Sequence, residues 1–233
     1  MKLVIGVIAS VCLAVVLFGA WLVKDIKDNQ LQIGAGEAIA AEPEKVNSPE
    51  IQGLIKERYV GNAEAPVSVY VFSSFTCSHC AVFHEKIFPE LKKRYADSGK
   101  IALYFSDFPL EVRAAAASMI AHCMPEKSYW QFVDTVFSTQ GKWALSPNYG
   151  NILTSYASLG GLSADKAKEC MENKALLKAL LAKRDADSTK YSIHGTPTVV
   201  VVSPAGMEQV EFGAGGAKLF SHLDSLLKKG EKK

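Results

Sequence analysis

Two cysteines three positions apart, in Phe75-Thr76-Cys77-Ser78-His79-Cys80, stand where an apolar run gives way to a helical pattern. At a strand-to-helix junction this spacing lets both sulfurs face each other across the first helical turn. Cys77 then lies where unpaired backbone N–H groups and the positive end of the helix dipole favour a negative charge. The thiolate is the reactive form of cysteine, so position becomes chemistry. Upstream, residues 66–72 are β-branched and aromatic and read as a buried strand. Downstream, Phe83, Ile87, Leu91 and Tyr95 recur every four residues as a helix stripe, in which Pro89 predicts a kink. The expectation is thiol–disulfide exchange with Cys77 as the attacking or attacked sulfur and Cys80 as its partner.

The 233 residues, 48% of them hydrophobic, suffice for one sizeable domain plus extras. The formal charge of +2 is made of interspersed signs, which gives no nucleic-acid footprint. The basic end, Lys228-Lys229-Gly230-Glu231-Lys232-Lys233, reads as a solvated tail. Residues 3–23 carry no charged side chain, a length that spans about 31 Å as a helix and suits a membrane anchor. No small-x-small cleavage site follows at the right distance, so residues 1–23 read as an uncleaved anchor in preference to a cleaved signal. Lys2 on one side and Lys24 and Lys27 on the other leave orientation undecided by charge. The cysteine usage points to an exported domain in an oxidising compartment. Residues 24–49 read as a linker.

Residues 101–105 form a second strand pattern. Segments 111–124, 128–138, 149–159 and 164–173 carry helical spacing, punctuated by Gly141, Pro147 and Gly160-Gly161. A Leu- and Ala-rich helix follows over 175–190. Thr196-Pro197-Thr198 opens a Val-rich strand, Pro204-Ala205-Gly206 turns into another over 208–212, and a last helix covers 217–229. The order predicts an α/β fold: a mixed sheet built from 50–110 and 174–233, with an inserted helical subdomain over 111–173.

With this order, the chain resembles the thioredoxin superfamily, in particular its DsbA-like thiol:disulfide oxidoreductases. The resemblance rests on Gly61-Asn62-Ala63-Glu64-Ala65-Pro66-Val67, the Cys77-Ser78-His79-Cys80 motif, Asp107-Phe108-Pro109-Leu110 and Tyr191-Ser192-Ile193-His194-Gly195-Thr196-Pro197-Thr198. It implies an exposed nucleophile at Cys77, a buried partner at Cys80, and tuning by the dipeptide Ser78-His79. It also implies a cis proline at Pro197 facing the sulfurs. The backbone of Thr196 would then pair with an extended substrate, with Gly195 and His194 beside it. Ser78 stands where these enzymes often carry Pro. Val71 and Ser74 stand where an acidic residue near the buried cysteine is common. The partners implied are reduced exported proteins and a DsbB-like, quinone-linked membrane oxidase, with no bound cofactor or metal. The implied location is the periplasm of a Gram-negative bacterium, tethered to the inner membrane or soluble after signal cleavage.

Other readings compete. Cys77, Cys80 and His84 have zinc-ligand spacing but lack a fourth ligand nearby. A purely structural disulfide would leave a reactive position unused. His79 beside the helix start lowers the Cys77 pKa, which favours the reduced pair and makes the disulfide the stronger oxidant. An oxidase is therefore preferred to an isomerase or reductase, and a non-catalytic tethered peptide-binding module is the alternative from another class. Cys123 and Cys170 are expected to form a structural disulfide in an exported domain, worth about 4 kcal/mol at most in the loop-entropy model. His84 is a candidate site-lining residue, whereas His122 and His222 read as ordinary helix residues.

Overall fold

The computed structural model describes residues 53–230. The anchor expected over 1–23 and the linker over 24–49 lie outside them. Among the described residues, no helix is long and apolar enough to cross a membrane.

Five strands make one sheet: β1 (Arg58–Gly61), β2 (Ser68–Ser73), β3 (Ala102–Asp107), β4 (Thr198–Ser203) and β5 (Gly206–Gln209), in the order β1-β3-β2-β4-β5. Only β2 and β3 run parallel; every other pair is antiparallel. A parallel pair needs a crossover, and this one is helical: α1 (Ser78–Lys86), α2 (Phe88–Leu91) and a π turn (Lys92–Ala96). Val69 and Val71 of β2 point with Leu103, Val199 and Val201 to one face, where Phe83, Ile87, Leu91 and Tyr95 cover them. Tyr70, Phe72 and Val200 point to the other face and meet Tyr191 and Ile193. Burying each of these large side chains contributes about 1.5–3 kcal/mol. Pro89 does more than kink the helix: α1 ends at Lys86 and α2 restarts at Phe88 with the proline in its first turn.

Between β3 and β4 lie α3 (Val112–Cys123), α4 (Glu126–Ser138), α5 (Gln140–Trp143), α6 (Tyr149–Leu159), α7 (Ala164–Glu172) and α8 (Lys174–Tyr191). Glu111, Ser163 and Asn173 cap α3, α7 and α8 by accepting backbone N–H groups. Phe132, Val133, Val136, Phe137, Trp143 and Leu153 fill a second core, which reaches Phe75, Cys80 and Phe105 of the sheet domain. Cys123, at the end of α3, is disulfide-bonded to Cys170 of α7, with Cα atoms 6.5 Å apart. A 3₁₀ turn (Ala214–Gly216) leads into α9 (Ala217–Gly230).

Three elements differ from the sequence reading. β1 was not anticipated; four residues at a sheet edge are too short to show alternation. It ends at Gly61, whose φ is +98° and where a Cβ would meet the Ile101 carbonyl oxygen at 2.2 Å. The last strand covers Gly206–Gln209 rather than 208–212: Val210 still donates its N–H to Val199 O at 2.9 Å, and beyond it Phe212 packs against the core under α1. The one-turn helix α5 is also additional; four residues are too few for a periodic signal.

Candidate active site

Cys77 is the N-cap of α1 and is half-buried; Ser78 and His79 are exposed on the first turn, and Cys80 is fully buried. Both cysteines of the motif are free thiols. Unlike the capped helices of the insertion, α1 has no side-chain cap and no acidic residue in its first turn. Its leading N–H groups therefore remain available to the sulfur of Cys77.

The facing wall is the loop before β4, where the Thr196–Pro197 peptide bond is cis. Cys77 Sγ lies 3.4 Å from the Thr196 carbonyl oxygen, which accepts from the thiol. The Thr196 hydroxyl is buried and has no other partner among the described residues, so it is the donor left for a thiolate. His194 and Gly195 are exposed on the same loop, and Gly195 O accepts from the Thr198 hydroxyl at 2.7 Å.

The two thiols are held in opposite states. Burial pushes Cys77 up, but Thr196, Cys80 and the His79 backbone N–H together hold it below the ordinary thiol value. Position 79 thus acts on the sulfur through its main chain. Burial pushes the Cys80 thiol up to about 12, against smaller opposing contributions from Thr196 and the Ser74 backbone. Among the described residues, the groups that act most on Cys80 are Thr196, Ser74 and Cys77, none of them a carboxylate. The arrangement puts the more acidic thiol at the surface and the less acidic one buried behind it.

Beside the pair runs a groove of about 290 Å³ lined by His79, Val82, Phe83, Ile87, Thr196, Pro197 and Phe212. Its apolar walls and exposed Val82 suit the side chains of an unfolded polypeptide. Phe212, just beyond β5, completes this wall.

His84 does not line the site. Its Nε2 is 2.7 Å from Asp134 Oδ1, and its ring stacks on Phe88 and Phe137, so it joins the crossover to the insertion. His122 is likewise more than an ordinary helix residue: it is buried, accepts the Lys56 backbone N–H at Nδ1, and sits 3.1 Å from Asp107 Oδ2. His222, partly exposed, pairs with Glu208 at 2.9 Å. Among the described residues no group of three or more His, Cys, Asp or Glu is arranged to hold a metal ion. Sequence reasoning missed Gln140, whose side-chain amide donates to the carbonyls of Phe75 and Cys77. A lone Gln between two helical segments carries no signal that would have found it.

A family model described as thioredoxin matches residues 54–203. A Rickettsia typhi protein, provisionally named a protein-disulfide oxidoreductase, is 34% identical over 61% of this chain and 53% of its own. Disulfide bond formation protein D of Bacillus subtilis is 26% identical over 66% of this chain and 69% of its own. The chain spans about half the length of the rickettsial relatives it matches. Among solved structures, Wolbachia pipientis alpha-DsbA1 aligns at TM-score 0.65 and 26% identity, over 75% of this chain and 92% of its own. Oxidised BdbD from Bacillus subtilis shares the fold at TM-score 0.65 and 21% identity, over 74% of this chain and 93% of its own.

Proposed function

The chain belongs to the thioredoxin family, in its DsbA-like branch, and from that premise we propose that it is a protein thiol:disulfide oxidoreductase working through Cys77 and Cys80. The observation that carries this reading is the pair of free thiols at one helix start, Cys77 half-buried with its sulfur 3.4 Å from the Thr196 carbonyl oxygen and Cys80 fully buried behind it.

The reaction runs from the oxidised pair. A substrate thiolate attacks Cys77 Sγ, the Cys77–Cys80 bond breaks, and Cys80 leaves as a thiolate that takes up a proton. A second substrate thiolate then attacks the substrate sulfur of the mixed disulfide and expels Cys77. Two substrate thiols become one disulfide, and the enzyme pair is left as the dithiol. The low Cys77 pKa makes it the better leaving group and favours the reduced enzyme, so the net direction is oxidation of substrate. This favours an oxidase over an isomerase or reductase. The backbone of Thr196 offers strand-like pairing to the substrate segment around its cysteine, and the adjoining groove takes apolar side chains. Cys123–Cys170 is a staple of the insertion and takes no part in turnover.

The substrates in this reading are reduced exported proteins, and the oxidant that restores the pair is a DsbB-like, quinone-linked membrane protein. The setting is the periplasm of a Gram-negative bacterium, with residues 1–23 as an inner-membrane tether or, after cleavage, none. The groove also suits a peptide-holding module without redox turnover. One experiment separates the two: oxidised protein is mixed with a reduced, unfolded protein and disulfide formation is followed. Loss of the activity in Cys77→Ser supports the oxidoreductase. Undiminished action of the Cys77→Ala, Cys80→Ser double variant supports the module.

A further inference from the structure

The helical insertion reaches the redox motif through the hydrogen bonds of one polar side chain. Among the described residues, Gln140 is the sole insertion side chain that hydrogen-bonds residues 75–80: its Nε2 donates to Phe75 O at 2.8 Å and Cys77 O at 3.0 Å. A primary amide has two N–H donors, and both are used. Gln140 is itself well fixed. It opens α5, which is pinned by Trp143, a fully buried residue whose indole N–H donates to Val136 O at 2.8 Å. The strut thus ends on the insertion core.

The contacted carbonyls are those that set the helix start. Cys77 O also accepts the Ala81 N–H at 3.1 Å, the first bond of α1. The peptide unit joining Cys77 to Ser78 is rigid and planar, so fixing its oxygen fixes the plane from which the first turn departs. The N–H groups of His79 and Cys80 lie in that turn, and α1 has no side-chain cap of its own to hold it.

We propose that Gln140 is a positioning residue for the redox pair, clamping the carbonyls of Phe75 and Cys77 so that the first-turn backbone donors stay aimed at Cys77 Sγ. The inference rests on the oxidoreductase reading of this site and deepens it: the insertion acts on the chemistry through this amide as well as covering the motif. Gln140 does not touch substrate.

The test compares Gln140→Met, which keeps reach and loses both donors, with Gln140→Asn, which keeps the amide and loses reach. Gln140 is half-buried and outside the core, and melting of the oxidised forms reports folding. Two quantities are read: the pH titration of the Cys77 thiolate and the equilibrium constant of the pair with glutathione. Both variants are expected to shift the titration upward by about half a unit to one unit and to lower the oxidising equilibrium constant about three- to tenfold. A merely structural role would lower the melting temperature and leave both quantities at wild-type values. That result overturns the inference, as does a shift in only one variant. Should the wild type not exchange with glutathione, the oxidoreductase reading fails, while the Cys77 titration still decides the role of Gln140.

Discussion

The Thr196 carbonyl oxygen sits 3.4 Å from Cys77 Sγ across 119 positions of sequence, so the Cys77 thiol is bounded by two parts of the chain that meet only in the fold. The same residue also lowers the pKa of both cysteines, and its buried hydroxyl has no other partner among the described residues. Thr196→Val keeps the carbonyl and removes the hydroxyl. The Cys77 titration is expected to rise and the oxidising equilibrium constant with glutathione to fall about three- to tenfold, the scale of one lost hydrogen bond of ordinary strength. Unchanged values would remove the hydroxyl from the account.

Reactivity and stability of the reduced protein depend on pH in opposite senses at the two thiols. Iodoacetamide is expected to modify Cys77 with a half-maximal rate below pH 9.0, the ordinary thiol value, and to spare Cys80, held up to about 12. Cys77 has a lowered folded-state pKa, so its contribution to stability is full above the ordinary thiol value and is lost as pH falls through the lowered one. Cys80 is the reverse: above the ordinary value the unfolded thiol ionises while the folded one keeps its proton, and stability falls toward about pH 12. Denaturant unfolding of the reduced form against pH should therefore show a maximum, with the acid limb flattened in Cys77→Ser. A half-maximal alkylation at or above the ordinary value contradicts the assignment.

His84 belongs to the packing between crossover and insertion. His84→Ala removes a ring stacked on Phe88 and Phe137 and is expected to cost about 2–4 kcal/mol of stability, with the glutathione equilibrium unchanged. A change in the equilibrium without a loss of stability would return His84 to the site.

Much of this was legible in sequence because its signals are local. The strand before Cys77 declares itself by β-branched residues, and the stripe of Phe83, Ile87, Leu91 and Tyr95 by its spacing of four. What escaped depends on distant partners. His84 and Asp134 meet across 50 positions, and Gln140 reaches back 63 to Cys77 O. His122 beside Asp107 looks like any helix histidine until β3 is placed against α3. In each case the residue's type is unremarkable, and its surroundings come from the fold.

The disulfide between Cys123 and Cys170 closes a loop of 47 positions and ties α3 to α7. Cys123→Ala with Cys170→Ala is expected to destabilise the protein by up to about 4 kcal/mol in denaturant unfolding. The glutathione equilibrium of Cys77 and Cys80 should stay at its wild-type value. A shifted equilibrium would make the staple part of the tuning.

A Cys77–Cys80 couple built to oxidise has a high reduction potential. Its equilibrium potential against glutathione measures this directly. The expected result is a strongly oxidising couple, nearer the value of about −120 mV known for DsbA than that of about −270 mV known for thioredoxin. A potential at or below the thioredoxin value would contradict it.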